Sequence, residues 1–201
     1  MGDFDSILPE VKQFYEKKLV PMIIKKDQEF CDLEKCLYIA IEKLAVLKEN
    51  EGYNTTGKSF SMIILGSSGG RIDHTFSTFH NVFKYINTYS DHLKDTEIYM
   101  VSKNAISVFL KNGSNQVNHC KSSQDFKLGF SIIPINGEGN IQIFEEDSEK
   151  EGKFFVYLDI YLKFGEKIYI HKKKLESSIK IFVENENTAL LYTSSIPLKV
   201  V

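Results

Sequence analysis

The chain has 201 residues, of which 42% are hydrophobic and 26% charged, and its 25 basic and 27 acidic residues leave a formal charge of −2. This composition excludes collagen-like, mucin-like and disordered chains and is typical of a globular protein with one large or two small domains. The near-neutral balance offers no broad basic surface for a polyanion, so we expect no nucleic-acid partner.

The sequence also bears on where the protein works. No run approaches the ~20 consecutive apolar residues that a membrane-spanning helix needs, so we expect no membrane partner. Cys31, Cys36 and Cys120 are too few and too unevenly spaced for a disulfide framework or a four-ligand zinc site. These features favour a reducing compartment, and the predicted localisation is cytoplasmic.

Helix and strand patterns alternate in the first hundred residues. A helix is predicted after Pro9, over residues 10–19, followed by a short buried strand over 20–24 and a second amphipathic helix over 32–48. A strand over 60–65, a glycine-rich turn over 66–70, a helix over 74–89 and a strand over 98–101 follow. This order predicts a parallel sheet with crossover helices, in which ligands gather at the carboxyl ends of the strands.

From about residue 104 the apolar residues alternate or form short β segments, and no further helix pattern of comparable length follows. Polar breaks are predicted over 112–125, 136–140 and 145–153. The predicted fold class is therefore α/β, with a parallel-sheet domain and crossover helices over residues 1–103 and an antiparallel β-sandwich over residues 104–201.

The first two constellations that could carry chemistry are acidic. In an extended backbone Asp3 and Asp5 point to the same side and could share one metal ion, although a solvated terminus is the alternative. Asp27 and Gln28 follow the predicted strand over 20–24, and Asp32 begins the next helix. This group would lie at the ligand-bearing edge of the sheet, and a helix cap with a solvated turn is the alternative.

The third constellation is the glycine-rich turn, Gly66–Gly70, followed by Arg71, Asp73 and His74. Its glycines let backbone N–H groups approach an anion, and Arg71, the only arginine of the chain, can grip a phosphate with two donors. A plain tight turn is the alternative, with Asp73 serving as an ordinary first-turn residue. Together the three constellations predict Mg²⁺ beside a polyphosphate, as in phosphoryl-transfer sites.

Three segments make the sequence resemble the thiamine pyrophosphokinase family. They are GDFDSI at the start, KDQEFCDLEKCL in the second constellation and LGSSGGRIDHTFSTFHNVF in the third, and the closing TSSIPL is similar to that family's ending. The resemblance covers residues 2–83 well and the rest loosely. It implies an enzyme that transfers the terminal diphosphate of ATP to thiamine with Mg²⁺, releasing AMP, and that acts as a homodimer with the thiamine pocket between subunits.

The resemblance also implies roles for individual residues. Asp3, Asp5 and Asp32 would be the catalytic residues and the Mg²⁺ ligands. On chemical grounds, a carboxylate near the thiamine hydroxyl, that of Asp5 or Asp32, could take its proton. Asp73, Ser177 and Ser178 would contact thiamine. The residues that would bind the nucleotide are Asp27, Gln28, Gly66, Ser67, Gly69, Gly70 and Arg71.

The sequence departs from the family pattern in three places. The family carries an Ala-Asp-Gly-Gly type segment before GDFDS, and we expect this segment to be missing here. Glu29, Phe30 and Cys31 stand where Asp, His and Thr are more usual. The family's tryptophan against thiamine has no counterpart, because the chain contains no Trp, and the strand around Ser177 matches poorly.

Two alternatives to the kinase remain open from the sequence. Asp3 and Asp5 could be the nucleophile and acid of a haloacid-dehalogenase-like phosphatase, a chemistry that requires a buried strand before the pair. Alternatively, the chain could be an inactive nucleotide- or thiamine-binding module that lacks the N-terminal segment.

Overall fold

A computed structural model describes residues 2, 4–5, 7–50, 60–93, 96–117, 129–146, 153–171, 179–184 and 189–195. These residues form three α-helices and ten β-strands. None of the described helices is both long enough and apolar enough to cross a membrane.

The three helices agree closely with the predicted ones. They are α1 (Pro9–Lys17), α2 (Asp32–Asn50) and α3 (Ile72–Thr88). Helix α1 starts with a proline, whose fixed φ suits the first turn. No residue of α1 is buried, and its apolar residues Val11, Phe14 and Tyr15 are 38%, 56% and 44% exposed.

Helices α2 and α3 contribute the buried side chains of the helical part. Leu37, Ile41 and Leu44 lie three or four residues apart on α2 and are 2 to 7% exposed, as the predicted apolar stripe requires. On α3, Val82 and Tyr85 are buried with the polar Asn81. The Asn81 side chain donates a hydrogen bond to the Cys31 sulfur at 3.1 Å.

The predicted buried strand over 20–24 is wrong. Within this run only Ile24 makes a β-bridge, a parallel one with Gly2, and the residues Val20 and Ile24 are 44% and 57% exposed. The apolar run resembles a buried strand in composition. Burial, however, requires neighbouring strands on both sides, and a single bridging residue does not supply them.

The strands form two sheets. The six-stranded sheet has the order β1-β2-β3-β10-β5-β8, and the four-stranded sheet has the order β4-β9-β6-β7. The strands are β1 (Phe60–Leu65), β2 (Thr96–Val101), β3 (Ala105–Phe109), β4 (Gly113–Val117), β5 (Phe130–Asn136), β6 (Glu138–Glu146), β7 (Phe154–Lys163), β8 (Tyr169–His171), β9 (Ile179–Val183) and β10 (Ala189–Ser195).

Parallel and antiparallel strands share the six-stranded sheet. Gly66 and Ser67, directly after β1, donate their N–H groups to the carbonyl of Val101 at the end of β2, at 2.8 and 3.3 Å. The two strands therefore end side by side and run in the same direction. The remaining pairs of this sheet are antiparallel. The predicted α/β class is confirmed. The sequence did not predict that strands from residues 1–103 and from residues 104–201 share one sheet.

The two sheets enclose one apolar core, as the sandwich prediction requires. Ile132 of β5 and Leu190 of β10 come from the larger sheet, and Ile141 of β6 and Ile181 of β9 come from the smaller one. All four are 0% exposed and belong to one cluster of buried side chains. Alternation along the strands brings their apolar residues to this inner face.

Strand β4 lies in the segment that the sequence predicted as a polar break. It contains Gly113, Ser114, Asn115, Gln116 and Val117 and pairs with β9 at the edge of the smaller sheet. Backbone pairing, rather than apolar side chains, forms this edge strand. The prediction failed here because hydrophobic alternation is the main sequence signal of a strand.

The chain divides into two compact units. One contains Met1–Phe60 and Asp73–Thr96, and the other contains Ser61–Ile72 and Glu97–Val201. Helices α1, α2 and nearly all of α3 belong to the first unit, and most of both sheets belongs to the second. Because the units interleave along the chain, they do not test a single boundary after residue 103, and the domains 1–103 and 104–201 stay a prediction.

Candidate functional site

The N-terminal motif lies beside the segment that leads to the second acidic constellation. The N–H of Gly2 donates to the carbonyl of Ile23 at 3.3 Å, and the N–H of Lys25 donates to the carbonyl of Gly2 at 2.9 Å. Two motifs that are distant in sequence are thus joined through the backbone.

The backbone turns directly after Gly2. Phe4 has a φ of 60°, in the left-handed region, which costs a residue with a Cβ about 1–2 kcal/mol. Asp3 and Asp5 were predicted to point to one side on the assumption of an extended backbone, and at Phe4 the backbone is not extended. Asp5 is exposed, while Asp3 lies outside the described residues.

Asp32 is the first residue of α2, and its carboxylate packs against the backbone of Gly2. A Cβ built on Gly2 would stand only 2.3 Å from Oδ2 and 2.8 Å from Oδ1 of Asp32. No residue with a side chain fits at position 2 unless Asp32 moves. The Asp32 side chain is 54% exposed, so its carboxylate is held close to the backbone while still accessible to solvent.

The predicted capping role of Asp32 is wrong by one position. The first backbone bond of α2 runs from the N–H of Lys35 to the carbonyl of Cys31 at 3.1 Å, which makes Cys31 the cap residue. Asp32 therefore lies in the first turn, where the helix dipole stabilises a carboxylate.

Lys35 completes this arrangement. Its ammonium donates to the carbonyl of Lys25 at 3.1 Å and to Oδ1 of Asp32 at 3.4 Å, and only 8% of its side chain is exposed. We call Gly2, Lys25, Asp32 and Lys35 the Asp32 cluster. Lys35 was not predicted from the sequence, although a lysine one turn after a candidate carboxylate on the same helix is a readable signal.

Asp27 and Gln28 form an exposed turn before α2. Oδ1 of Asp27 accepts a hydrogen bond from the N–H of Glu29 at 2.8 Å, and the side-chain amide of Gln28 donates to the carbonyl of Lys26 at 3.4 Å. The first of these bonds is the turn-forming contact that aspartate commonly makes two residues along the chain. The turn follows the bridge at Ile24, close in sequence to the Asp32 cluster.

A cavity of about 380 Å³ lies beside this turn, between α2 and α3, and Asp27 and Lys35 are among its lining residues. Its volume lies within the range of small-molecule sites, about 300–1,000 Å³. The ammonium of Lys84 pairs with Glu34 at 2.5 Å and stands 5.8 Å from the centre of the Phe30 ring. The cavity thus combines charged and aromatic walls next to the predicted acidic constellation.

Tyr85 also lines this cavity. Burial, together with the nearby negative charge of Glu34, raises the pKa of its hydroxyl to about 12. Tyr85 therefore stays neutral at every physiological pH. Neither Tyr85 nor the pair Glu34–Lys84 was predicted, because nothing in the sequence shows that α2 and α3 meet at these positions.

The glycine-rich turn follows β1 as predicted. Gly66, Gly69 and Gly70 have φ values of 73°, 111° and 72°, and a Cβ on any of them would meet no atom within 4 Å. These positions favour glycine because of their positive φ values, and not because a side chain would clash with a neighbouring atom. Because the N–H groups of Gly66 and Ser67 already bond Val101, the donors left for an anion are those later in the turn.

The remaining predicted residues are only partly located. Arg71 and Asp73 are exposed, and Asp73 lies in the first turn of α3. Ser177 and Ser178 lie outside the described residues. The Asp32 cluster belongs to one compact unit and the glycine-rich turn with Arg71 to the other, so their convergence on one ligand stays a prediction. Within the described ranges, no three His, Cys, Asp or Glu side chains are grouped to hold a metal ion.

Comparison with known proteins finds similarity to thiamine pyrophosphokinases. Residues 1–94 match the family model described as "Thiamin pyrophosphokinase, catalytic domain". The chain is 30% identical over 87 residues to thiamine pyrophosphokinase 1 of Oryza sativa subsp. japonica, covering 43% of this chain and 30% of the relative. It is 26% identical over 87 residues to thiamin pyrophosphokinase 1 of Caenorhabditis elegans, covering 43% and 31%. The matched stretch thus spans less than a third of either relative.

Solved structures extend the similarity of fold to nearly the whole chain. Thiamin pyrophosphokinase from Candida albicans superposes with a TM-score of 0.73 at 17% identity, covering 97% of this chain and 71% of that one. Thiamine pyrophosphokinase from Bacillus subtilis gives a TM-score of 0.70 at 18% identity, covering 98% and 78%. At such identities the superpositions establish the fold.

Proposed function

We propose that this chain, whose residues 1–94 match the family model of the thiamin pyrophosphokinase catalytic domain, transfers the terminal diphosphate of ATP to thiamine and releases AMP. One observation carries the proposal. The carboxylate of Asp32 in the second motif packs directly against Gly2 of the first motif. Two sequence motifs with the chemistry of a phosphoryl-transfer site therefore meet in the part of the chain that the family model matches.

The acidic residues fit Mg²⁺ by the chemistry of their donors. Mg²⁺ prefers carboxylate oxygens and usually binds through one or two of them together with substrate phosphates and waters. In the proposal Asp32, whose side chain is 54% exposed, holds the ion together with Asp5 and Asp3. When bound, the ion supplies neutralisation of the charge on the phosphate oxygens.

Phosphate binding is assigned to the glycine-rich turn and Arg71. The N–H groups from Ser68 to Gly70 follow the two that Val101 occupies, and a guanidinium binds phosphate oxygens with two donors at once. Asp27 and Gln28 are proposed to contribute on the nucleotide side. This assignment requires the two compact units to present their residues to one nucleotide.

The thiamine side of the site rests on the family alone. In the proposal Asp73, Ser177 and Ser178 contact thiamine, in a pocket completed by a second copy of the chain in a cytoplasmic homodimer. The attacking group is the thiamine hydroxyl, and Asp5 or Asp32 accepts its proton as the oxygen bonds to the β-phosphorus. The anhydride bond between the β-phosphorus and the α-phosphate then breaks, and AMP leaves. In this proposal the rate enhancement comes mostly from alignment of the hydroxyl with the phosphorus, and no covalent intermediate forms.

Neither alternative is favoured. The phosphatase requires Asp3 and Asp5 to follow a buried strand, whereas Gly2 makes one bridge and the backbone turns at Phe4. No observation on the described residues favours a module that binds without turnover.

The function is tested by incubating the full chain with ATP, Mg²⁺ and thiamine and separating the products. Equal amounts of AMP and thiamine diphosphate support the proposal, and free phosphate or binding without turnover contradicts it. Asp32→Asn should lower turnover about 100-fold or more, since a misplaced or missing charge at a phosphoryl-transfer site has effects of this size. Glu49→Gln, at an exposed position of the same helix, is the matched control.

A further inference from the structure

The ammonium of Lys35 is a buried charge. Its side chain is 8% exposed, whereas lysine side chains ordinarily reach solvent. A charge in such a position destabilises the fold unless hydrogen-bonding partners of opposite polarity surround it. The partners that Lys35 contacts therefore indicate its purpose.

Both partners belong to the arrangement around Asp32. One is Oδ1 of Asp32 at 3.4 Å, and the other is the carbonyl of Lys25 at 3.1 Å. The N–H of Lys25 in turn donates to the carbonyl of Gly2 at 2.9 Å. One ammonium thus connects the start of α2 to the segment that carries the N-terminal motif.

We propose that Lys35 is a positioning residue for the diphosphate transfer, acting through Asp32. It binds one carboxylate oxygen of Asp32 and keeps this half-exposed side chain against Gly2, in the orientation that the reaction uses. The inference rests on the proposed function, because it assumes that Asp32 contacts Mg²⁺ or substrate.

The chemistry of lysine suits this role. An ammonium carries three donors on a flexible stem and satisfies a carbonyl and a carboxylate at once. Methionine would fill a similar volume without donating a hydrogen bond, so it would leave the Lys25 carbonyl without this donor and Asp32 free to rotate. Arginine keeps the charge and the donors but needs more room.

The first arm of the test is kinetic. Lys35→Met should lower kcat about 100-fold with KM for ATP and thiamine changed less than about threefold, because misplacement affects the transition state more than ground-state binding. Lys35→Arg should recover at least about a tenth of the wild-type kcat. Lys43→Met, at an exposed position of the same helix, should match the wild type. An unchanged kcat in Lys35→Met would overturn the inference.

These rates are compared at Mg²⁺ concentrations that saturate every variant. Loss of a positive charge beside Asp32 should by itself strengthen cation binding. A lower kcat at saturating Mg²⁺ is therefore not explained by weaker attraction of the ion.

The second arm measures structure without turnover. Hydrogen exchange of the Lys25 amide should be at least about tenfold faster in Lys35→Met than in Lys43→Met, since local opening of a slackened segment controls this exchange. A lower kcat with unchanged Lys25 exchange would overturn the inference.

If the wild type makes no thiamine diphosphate, the proposed function fails, and this second arm alone then decides whether Lys35 holds the Asp32 cluster. Lys35→Gln, which keeps a neutral N–H donor group but loses the charge, replaces Lys35→Met if the latter does not fold.

Discussion

The α-carbon of Gly2 and the carboxylate of Asp32 lie so close that a methyl group on Gly2 would overlap Oδ2, at 2.3 Å. Gly2 also has a φ of 155°, a value that residues with side chains rarely adopt. The residue type at position 2 is therefore coupled to the placement of a carboxylate on α2.

This contact predicts the effect of Gly2→Ala. The added methyl group should displace Asp32 and lower diphosphate transfer about 100-fold, the loss expected for a shift of about 1 Å in a reacting group. Gly165→Ala is the matched control, because Gly165 also has a positive φ, 82°, but open space around its α-carbon. Steady-state kinetics on both variants measures the difference. Equal rates for the two variants would show that the contact with Asp32 has no catalytic role.

Arg71 provides a second prediction. If its guanidinium binds the nucleotide with two donors, Arg71→Lys should keep the charge but lose the planar fork. We expect the KM for ATP to rise about tenfold in Arg71→Lys and further in Arg71→Gln, while KM for thiamine changes little. Lys103→Gln, an exposed lysine of the same compact unit, should behave as the wild type. A rise in KM for thiamine alone would contradict the proposed contact of Arg71 with the nucleotide.

The pair formed by Glu34 and Lys84 predicts a stability effect. The Glu34 side chain is 9% exposed and that of Lys84 is 47% exposed. Lys84→Met leaves a nearly buried carboxylate without its ammonium, which should lower the free energy of unfolding by about 1–3 kcal/mol. Lys12→Met removes an exposed pair with Glu16 and should change it by less than about 0.5 kcal/mol. Urea denaturation compares the two variants. Similar small effects would mean that the carboxylate finds another donor or water.

Tyr85 predicts the response to alkaline pH. Its pKa is raised from 10.0 to about 12 by burial in the folded protein, so the unfolded chain loses this proton first as pH rises. The stability that Tyr85 contributes is complete below pH 10 and decreases between pH 10 and about 12. In Tyr85→Phe the denaturation midpoint should fall less over this interval than in the wild type, whereas in Tyr15→Phe, at an exposed site, it should fall equally. If the denaturation midpoints of Tyr85→Phe and the wild type fell equally with pH, the raised pKa of Tyr85 would be contradicted.

Local patterns were sufficient to predict most of the fold. The apolar stripe with Leu37, Ile41 and Leu44 gave helix α2, and strand β1 has the bounds that its composition predicted. The predictions that failed depend on which segments pair with each other in the folded chain. The run over 20–24 has the composition of a buried strand but only one bridging residue, and β4 is formed by backbone pairing that no side-chain pattern announces.

Residue types in the sequence indicated candidate site residues, but the sequence did not show which side chains contact one another. Asp27, Asp32 and Arg71 stood out because few side chains bind metal ions or phosphate. Lys35 did not stand out, because its importance depends on the 3.1 Å bond to a carbonyl ten residues earlier. Such a bond follows from the path of the segment between α1 and α2, and amino-acid spacing does not determine that path.

The central claim is tested most directly with ATP labelled at its β-phosphorus. With thiamine and Mg²⁺, the account predicts that the label leaves the nucleotide and appears in thiamine diphosphate in proportion to the AMP formed. Label that remains in ATP or ADP after prolonged incubation would contradict the transfer of a diphosphate by this chain.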